Sequence, residues 1–351
     1  MPDSTTPTPS QNRARSLKIV LALAIATTII FGGTLVWSLQ AQTSDFAFVP
    51  RAAQATLPVV TLEDQQPPPA DSGAMYFSTV GVRHATVFES WFGVGDGGEL
   101  VPKHAILAPG ESEDDRTRLD TVAMNSSQDN ATVVGLRALG YDVTVKPLGV
   151  HIVGIDPRAP AAQAGLRIGD IITAIGSTPI TTTQTLRDAI RVIGAKQPVT
   201  ATIKRSGTST TITTTTMAGP NGTVLLGIVP AQANQIDTPR TVRFSVKGVG
   251  GPSAGLSFAL QIYSAGKNYT DLHGLKVAAT GTLTMTGIVG EVGGAAQKAI
   301  GAARADADLF LVPKAAEAEA RAAAPPGVEV VGVERFADAL TAIAAAAAAQ
   351  Q

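Results

Sequence analysis

The segment from Ile19 to Leu39 contains no charged side chain and is almost entirely apolar. Its length matches the roughly 20 apolar residues that an α-helix needs to cross the hydrocarbon core of a bilayer. Arg13, Arg15 and Lys18 lie directly before it. Since basic flanking residues stay on the cytoplasmic side, the pattern predicts one transmembrane helix with residues 1–18 in the cytoplasm. Everything after the helix is then expected outside the cytoplasm.

Two other interpretations of the apolar segment are less favourable. A buried helix of a soluble protein is rarely so uniformly apolar with basic residues on one flank only. A cleaved signal peptide has an apolar region of about 7 to 15 residues followed by a small-x-small cleavage site, and "SLQAQ" fits that site poorly. The sequence therefore favours an uncleaved membrane anchor.

Composition excludes several classes of protein. The chain has 27 basic and 28 acidic residues, so it lacks the positive charge of a nucleic-acid-binding protein. It has no cysteine and therefore no disulfide, thiolate zinc site or cysteine nucleophile. The four histidines, His84, His104, His151 and His273, are far apart in the sequence. No metal ion, cofactor or nucleic-acid partner is predicted.

Residues 146–218 show a specific order of elements. A strand is followed by a short helix that ends at Gly165, a turn "RIGD", a strand "IITAIG", a helix from about Thr183, and two alternating strands. This order, with the string "AAQAGLRIGDIITAIG", resembles a PDZ domain of the bacterial type. The resemblance implies that the segment binds free C-termini of polypeptides.

The PDZ resemblance also suggests binding residues. Leu148, Gly149 and Val150 match the Φ-G-Φ loop whose backbone N–H groups bind the peptide carboxylate, and Gly149 leaves room for that carboxylate. Taken alone, these three residues are better explained as a β-turn before a strand, but within the whole pattern a binding groove is favoured. The helix that contains Leu186, Ile190 and Ile193 is expected to form the opposite wall of the groove.

Ser253 lies in "GGPSAG", which contains the G-x-S-x-G spacing of an α/β-hydrolase nucleophile. That fold needs an acid and then a histidine from separate loops, but the only later histidine, His273, is close to Asp271 in sequence. A second match, the S-x-x-K string Ser264–Lys267, lacks a downstream K-T-G, and its glycine predicts a solvent-exposed helix end. Neither motif accounts for Ser253.

Without a histidine, a serine nucleophile needs another base. A lysine can serve if burial lowers its pKa toward neutrality. Lys298 lies in "GGAAQKAIGAARA", a helical pattern of small residues that favours burial and close helix packing. A lysine in a helix is otherwise usually a solvated surface residue.

Two strings decide between these interpretations of Lys298. "GGPSAGLSFALQIYSAG" and "VAATGTLTMTGIVGEVGGAAQKAIGAARADADLFLVP" resemble the proteolytic domain of Lon proteases, over about Thr241 to Ile343. The resemblance implies that Ser253 is the nucleophile, that Lys298 is its base and that Thr280 orients the lysine amine. We expect the start of the helix after Ser253 to supply free amides for an oxyanion, with Pro252 at its first position.

The Lon resemblance has further implications. Gly250 and Gly251 would let the backbone approach a substrate strand, although cytoplasmic Lon proteases commonly have an acid where this chain has Gly250. No G-x-x-x-x-G-K-[ST] loop occurs, so peptide hydrolysis is expected to be independent of ATP. The likeness extends to membrane-anchored bacterial PDZ-bearing Lon-like proteases in a bacterial cell membrane, and this resemblance implies a homo-oligomeric ring.

The expected fold class is α+β, with a Lon-type proteolytic domain that receives the strand and helix from Ala74 to Tyr141 and carries an inserted PDZ domain. The predicted segments are a disordered cytoplasmic tail (1–18), a transmembrane anchor (19–39), a linker (40–70), the N-terminal part of the proteolytic domain (71–145), the PDZ domain (146–218) and the Lon-type domain (219–346). The predicted function is a Ser-Lys endopeptidase acting outside the membrane. A catalytically silent PDZ scaffold is the alternative.

Overall fold

A computed structural model describes the backbone of residues 9–349 and the side chains of residues 17–349. The elements before the inserted domain are α1 (Pro9–Gln40), β1 (Gln42–Pro50), β2 (Gln54–Ala55), β3 (Val60–Leu62), β4 (Ala74–Phe77), β5 (Val80–Thr86), α2 (Val87–Phe92), β6 (Glu99–Val101), α3 (Lys103–Ile106) and α4 (Glu113–Ala138). They divide between two compact units, one of residues up to 49 with 82–103, the other of residues 50–81 with those from 104 onward.

The remaining elements belong to the second unit. The inserted domain contains β7 (Thr144–Ile155), α5 (Pro160–Gln163), β8 (Ile171–Ile175), β9 (Thr178–Pro179), α6 (Thr183–Ile193), β10 (Pro198–Arg205), β11 (Thr208–Thr215), β12 (Met217–Ala218), β13 (Val224–Leu225) and β14 (Ile228–Asp237). The chain then forms β15 (Val242–Phe244), α7 (Gly255–Gly266), β16 (Lys276–Ala279), β17 (Thr282–Leu283), β18 (Val289–Gly290), α8 (Ala295–Ala303), β19 (Leu309–Pro313), α9 (Glu317–Ala323), β20 (Glu329–Val333) and α10 (Phe336–Ala349).

The first unit contains α1 and a sheet with strand order β5-β1-β6. From Leu17 to Gln40, α1 is long and apolar enough to cross a membrane. The predicted disordered tail differs from the structure, because the chain is already helical from Pro9, where proline suits a first helical position. Residues 1–8 and the side chains of Arg13 and Arg15 lie outside the described residues.

The segment 40–70 is folded where the sequence predicted a linker. It contains β1, β2 and β3, and its Phe46, Val60 and Leu62 are buried. The aromatic and β-branched residues of "DFAFV" and "VVTL" favour strands, and β3 pairs with β15. The proline run that suggested a linker lies after β3, in the connection to β4.

The central sheet of the second unit has the order β2-β4-β16-β19-β20, with β4, β16, β19 and β20 parallel. β4 precedes the inserted domain and β16 follows it, yet they are neighbours, with Tyr76 opposite Ala278. The prediction of a domain inserted into an α+β proteolytic fold is therefore confirmed. α4 and α7 pack on one face of this sheet. α8 and α9 pack on the other, against Ala278 and Phe310.

The inserted domain is built on a sheet of order β11-β10-β8-β7-β14, with β9 beside β8. Its own core includes Ile152, Ile172, Leu186, Ile190 and Ile203. β14 pairs with β7 along its whole length, from Ile228 opposite Ile155 to Asp237 opposite Thr144. The domain thus extends to Asp237, beyond the predicted boundary at 218.

Candidate active site and peptide groove

The chain connections bring the serine, threonine and lysine segments to one edge of the central sheet. α7 leads into β16, and β16 leads through the β17–β18 hairpin and α8 into the parallel strand β19. In such β-α-β units the helix begins at the carboxyl end of the strand, where sites of α/β sheets usually form. Ser253 precedes α7, Thr280 follows β16 directly, and Lys298 lies in the first half of α8.

Hydrogen bonds join Ser253 to the end of β16. The Thr280 hydroxyl donates to the Ser253 carbonyl oxygen over 3.1 Å, and the Gly281 N–H donates to the same oxygen over 2.8 Å. Thr280 is fully buried, whereas Ser253 is half-buried. The carbonyl of Ser253 is therefore fixed by two donors while its side chain remains partly accessible.

Helix α4 holds the turn that carries the serine. The Ser127 hydroxyl donates to the carbonyl of Pro252 over 3.1 Å. Gly255 leaves the space that this contact needs, because a Cβ there would come within 2.9 Å of the Ser127 oxygen. The segment that precedes the inserted domain thus shapes the turn around Ser253.

Lys298 is buried, with 3% of its surface exposed. Ala295, Ala299 and Ala302 of α8 pack with the apolar residues on that face of the sheet. Burial lowers the pKa of Lys298 to about 8, and the negative charge of Glu319 opposes part of that shift. The carboxylate of Glu319 itself accepts a hydrogen bond from the Ala296 N–H at the start of α8. At pH 7 about a tenth of Lys298 is therefore neutral and able to accept a proton, and this fraction rises steeply toward pH 8.

The first turn of α7 differs in detail from the expectation. The helix begins at Gly255, so Pro252 lies in the preceding turn and not at the first helical position. The Gly255 and Leu256 N–H groups already donate to the carbonyls of Pro252 and Gly281. Free amides for an oxyanion must therefore come from residues before Gly255.

The two glycines before Pro252 pack against α4. The Gly251 N–H donates to the Asp120 carbonyl over 3.0 Å, and Gly251 has a φ of +81°, which favours glycine. A Cβ at Gly250 would come within 2.9 Å of the Asp120 Cβ. An acidic side chain at 250 would collide with Asp120 of α4, which already places a carboxyl group there. The Gly251 amide is thus not free to bind a substrate strand as predicted, whereas Gly250 is exposed.

The histidine that the α/β-hydrolase motif would need, and the S-x-x-K string Ser264–Lys267, lie in other parts of the fold. His273 precedes β16 and Thr280 follows it, so the strand separates the histidine from Ser253. The Ser264 hydroxyl is buried and donates to Asp271 over 2.6 Å, so this serine is not solvent-exposed as the sequence suggested. Lys267 is exposed at the end of α7.

The structure contradicts the predicted carboxylate loop of the inserted domain. Leu148, Gly149 and Val150 lie inside β7, where Val150 is opposite Ile172 of β8 on one side and opposite Gln232 of β14 on the other. A Cβ at Gly149 would come within 2.6 Å of the Ile172 carbonyl oxygen, so this glycine serves close strand packing. A strand flanked on both sides leaves no edge for an added peptide.

A groove does occur between α6 and β14. It has a volume of about 540 Å³ and is lined by Leu186, Ile190 and Arg187 of α6 and by Leu226 and Ile228 at the start of β14. β14 is an edge strand, so a peptide can add to its free side. The helix wall predicted from Leu186 and Ile190 is therefore present, but the strand wall is β14.

Sequence reasoning missed the loop at Leu226, Gly227 and Ile228. Gly227 has a φ of +75°, and a Cβ there would come within 2.4 Å of the Ala159 Cβ, so only glycine fits. These three residues also have the Φ-G-Φ pattern and lead into an extended strand, β14, which begins at Ile228. The signal was present in the sequence, but the assumed boundary at 218 excluded it.

Among residues 17–349, whose side chains are described, no group of three or more histidine, aspartate or glutamate side chains is arranged to hold a metal ion.

Comparisons with known proteins agree with this architecture. Residues 246–341 match the model of the Lon protease (S16) C-terminal proteolytic domain, and residues 137–216 match that of the PDZ domain. Similar solved structures include the PDZ domain of an SdrC-like protein from Listeria monocytogenes, 24% identical, covering 24% of this chain and 88% of that one, with a TM-score of 0.23. A Geobacillus thermodenitrificans protein is 28% identical, with coverage of 23% and 94% and a TM-score of 0.21. A search of curated proteins returned no significant match.

Proposed function

From the premise that this chain is a Lon-like serine peptidase with a PDZ domain, we propose a membrane-anchored, ATP-independent endopeptidase that uses a Ser253–Lys298 dyad. The observations that carry the proposal are the burial of Lys298 in α8 and the hydrogen bond from Thr280, at the end of β16, to the backbone of Ser253. A buried lysine with a lowered pKa can serve as the base that the serine needs.

In the acylation step, neutral Lys298 accepts the proton of the Ser253 hydroxyl as the oxygen attacks the peptide carbonyl carbon. The resulting ammonium then donates that proton to the leaving amine as the peptide bond breaks. Water hydrolyses the acyl-enzyme in the second half, with Lys298 again accepting and returning the proton. Thr280 already uses its hydrogen on the Ser253 carbonyl, so its oxygen lone pairs are available to accept a hydrogen bond from Lys298.

The oxyanion of the tetrahedral intermediate requires nearby N–H donors. Since Gly255 and Leu256 donate within the protein, we assign this role to the amides of Ser253 and Ala254, just before α7. The positive end of the α7 dipole adds to the stabilisation of negative charge there. No ATP-binding phosphate loop is present in the sequence, so substrates are polypeptides that are already loose or unfolded.

The membrane orientation follows from charge. The basic residues before the span keep the N-terminus cytoplasmic, and the peptidase and PDZ domains then lie outside the cytoplasmic membrane of a bacterium. Assembly into a homo-oligomeric ring is part of the proposal and is measurable by sizing the detergent-solubilised protein.

The PDZ domain is proposed to bind polypeptide C-termini in the groove between α6 and β14. The amides around Gly227 would hold the terminal carboxylate, while Leu186 and Ile190 contact the last side chain. Peptides with a free apolar C-terminal residue are therefore expected to bind, and amidation of that end is expected to weaken binding. Gly227→Ala should weaken binding as well. Gly149→Ala is expected to lower the stability of the domain, because Gly149 lies inside β7 and not in the groove. Equal affinity for acid and amide peptides would contradict this part.

The peptidase function is tested with the full-length protein in detergent micelles and an unfolded polypeptide substrate, without ATP. Cleavage is expected, and Ser253→Ala should abolish it. Lys267→Ala, which removes the exposed lysine of the S-x-x-K string, is the matched control and should cleave normally. Cleavage that persists in Ser253→Ala would contradict the assignment of the nucleophile.

A further inference from the structure

Helix α2 of the first unit carries an exposed aromatic face. Phe88, Trp91 and Phe92 are spaced i, i+3 and i+4, so they lie on one side of the helix. The rings of Phe88 and Phe92 are 4.7 Å apart, and those of Trp91 and Phe92 are 6.5 Å apart. Trp91 is 59% exposed and Phe92 71% exposed. Clustered exposed aromatic residues mark a surface that binds another apolar phase or partner.

The backbone fixes α2 beside the end of the membrane-spanning helix. The Val87 N–H donates to the Ala41 carbonyl over 2.8 Å, and the Thr43 hydroxyl donates to the Ala85 carbonyl over 3.1 Å. β5 therefore runs antiparallel to β1 and returns to the point where α1 ends. α2, which follows β5 directly, packs against α1. Ser38, near the end of α1, is buried.

The depth of α2 follows from the length of α1. At about 1.5 Å per residue, a helix that starts at the interface near Lys18 crosses about 30 Å of hydrocarbon by about Ser38. The last turn of α1 and the adjoining α2 therefore lie at the outer interface. Trp37 on α1 is also exposed, and Trp37 and Trp91 are the only two tryptophans in the chain. Tryptophan is enriched at this level of a membrane protein.

The polar groups of α2 are satisfied within the first unit. Thr86 and Glu89 form a capping box at the helix start, and Glu89 forms an ion pair with Arg83. This arginine lowers the pKa of Glu89 to about 2, so the carboxylate stays charged and paired. The helix is thus held in place by its polar side, and within the part of the chain whose side chains are described (17–349) no residue covers Trp91 and Phe92.

We propose that Phe88, Trp91 and Phe92 insert into the headgroup region of the bilayer that α1 crosses. This inference rests on the proposed membrane anchor. A lipid surface is the occupant that fits, because α2 packs against α1 near the end of the span and Trp91 and Phe92 of α2 and Trp37 of α1 are all exposed. The arrangement resembles an interfacial helix, with aromatic rings in the membrane boundary and charged groups on the opposite side.

The two tryptophans allow a direct test in the full-length protein. Trp37→Phe leaves Trp91 as the only tryptophan, and Trp91→Phe leaves Trp37. Each variant is reconstituted into vesicles of phosphatidylcholine and phosphatidylglycerol, with or without bromine on the acyl chains near the headgroup. Bromine quenches tryptophan fluorescence at short range. We expect brominated lipid to reduce the emission of both variants about twofold or more.

The two variants separate failure of this inference from failure of the anchor. Quenching of Trp37 without quenching of Trp91 overturns the inference and leaves the anchor intact. Absence of quenching in both variants overturns the anchor and the inference together. Blue-shifted but unquenched emission of Trp91 means that another protein copy covers the aromatic face, which also overturns the inference. Unchanged far-ultraviolet circular dichroism verifies that both variants are folded.

Discussion

Replacing Lys298 with methionine is expected to change the pH dependence of stability in a calculable way. Methionine keeps the approximate length of the side chain but removes the amine. In the folded protein the pKa of Lys298 falls from an ordinary 10.5 to about 8, chiefly because burial disfavours the ammonium. Between these two values the unfolded chain binds a proton that the folded protein has released, so the stability of the parent rises with pH.

The magnitude follows from the size of this shift. The full difference in pKa corresponds to about 3 kcal/mol, since one pKa unit is about 1.4 kcal/mol. Most of it develops between about pH 6.5 and 9.5, where Lys298 contributes about 2 kcal/mol to the rise in the free energy of unfolding. The Lys298→Met variant should lack that contribution, and it should exceed the parent in stability below about pH 8 because no ammonium is buried.

The assay is guanidinium unfolding of the detergent-solubilised protein at about pH 6.5 and about pH 9.5, monitored by far-ultraviolet circular dichroism. Subtracting the change in the variant from the change in the parent removes the groups that titrate in both proteins. Lys276→Met, which removes an exposed lysine of β16, controls for the loss of one positive charge. The free energy of unfolding changes between the two pH values in both proteins. If these changes agree within about 0.5 kcal/mol in the parent and in Lys298→Met, the claim that Lys298 is desolvated is refuted.

Three further outcomes concern the dyad. The rate constant kcat/KM for peptide cleavage should rise with pH through a midpoint near 8, the pKa of Lys298, as the ammonium becomes the neutral base. Glu319→Gln should move that midpoint to lower pH, since the carboxylate raises the lysine pKa and the amide oxygen can still accept from Ala296; an unchanged midpoint in the pH–rate profile would contradict this. Thr280→Val should lower kcat about fivefold, because the Ser253 carbonyl loses one of its two donors and about 1 kcal/mol of positioning energy. Thr282→Val is the matched control, and equal losses in both variants would contradict a specific role for Thr280.

The domain plan was largely accessible from sequence, because its signals are local. A charge-free run, a string of turn and strand signals around "RIGD", and "GGPSAG" with "GGAAQK" each lie within a short segment. The parallel pairing of β4 with β16 is different in kind, since nearly two hundred residues separate the strands. It could be predicted only through family resemblance.

The errors have physical causes as well. The proline run at 67–69 suggested a linker, but the apolar alternation in β1 and β3 before it outweighed this signal once partner strands were available. For the peptide loop, the inserted domain contains three Φ-G-Φ patterns, at Gly149, Gly154 and Gly227. Sequence cannot decide which strand of a sheet is at its edge, because edge position depends on the pairing of the entire domain.

The contacts of the turn that carries Ser253 could likewise not be predicted from the sequence. No local pattern indicates that Ser127 and Asp120 of α4 hold the residues before Ser253. Their hydrogen bonds join segments on opposite sides of the inserted domain. Burial of Lys298, in contrast, was predictable, because alanine and isoleucine surround it in the helix.

The most direct measurement compares peptide cleavage by Ser253→Ala, Lys298→Ala and the double variant, each verified as folded by circular dichroism. The two residues act as one unit, so we expect each single variant to lose as much activity as the double variant. Lys298→Arg should also be inactive, because guanidinium keeps its proton at any usable pH. A folded Lys298→Ala protein that retains near-parental turnover would contradict the Ser-Lys dyad.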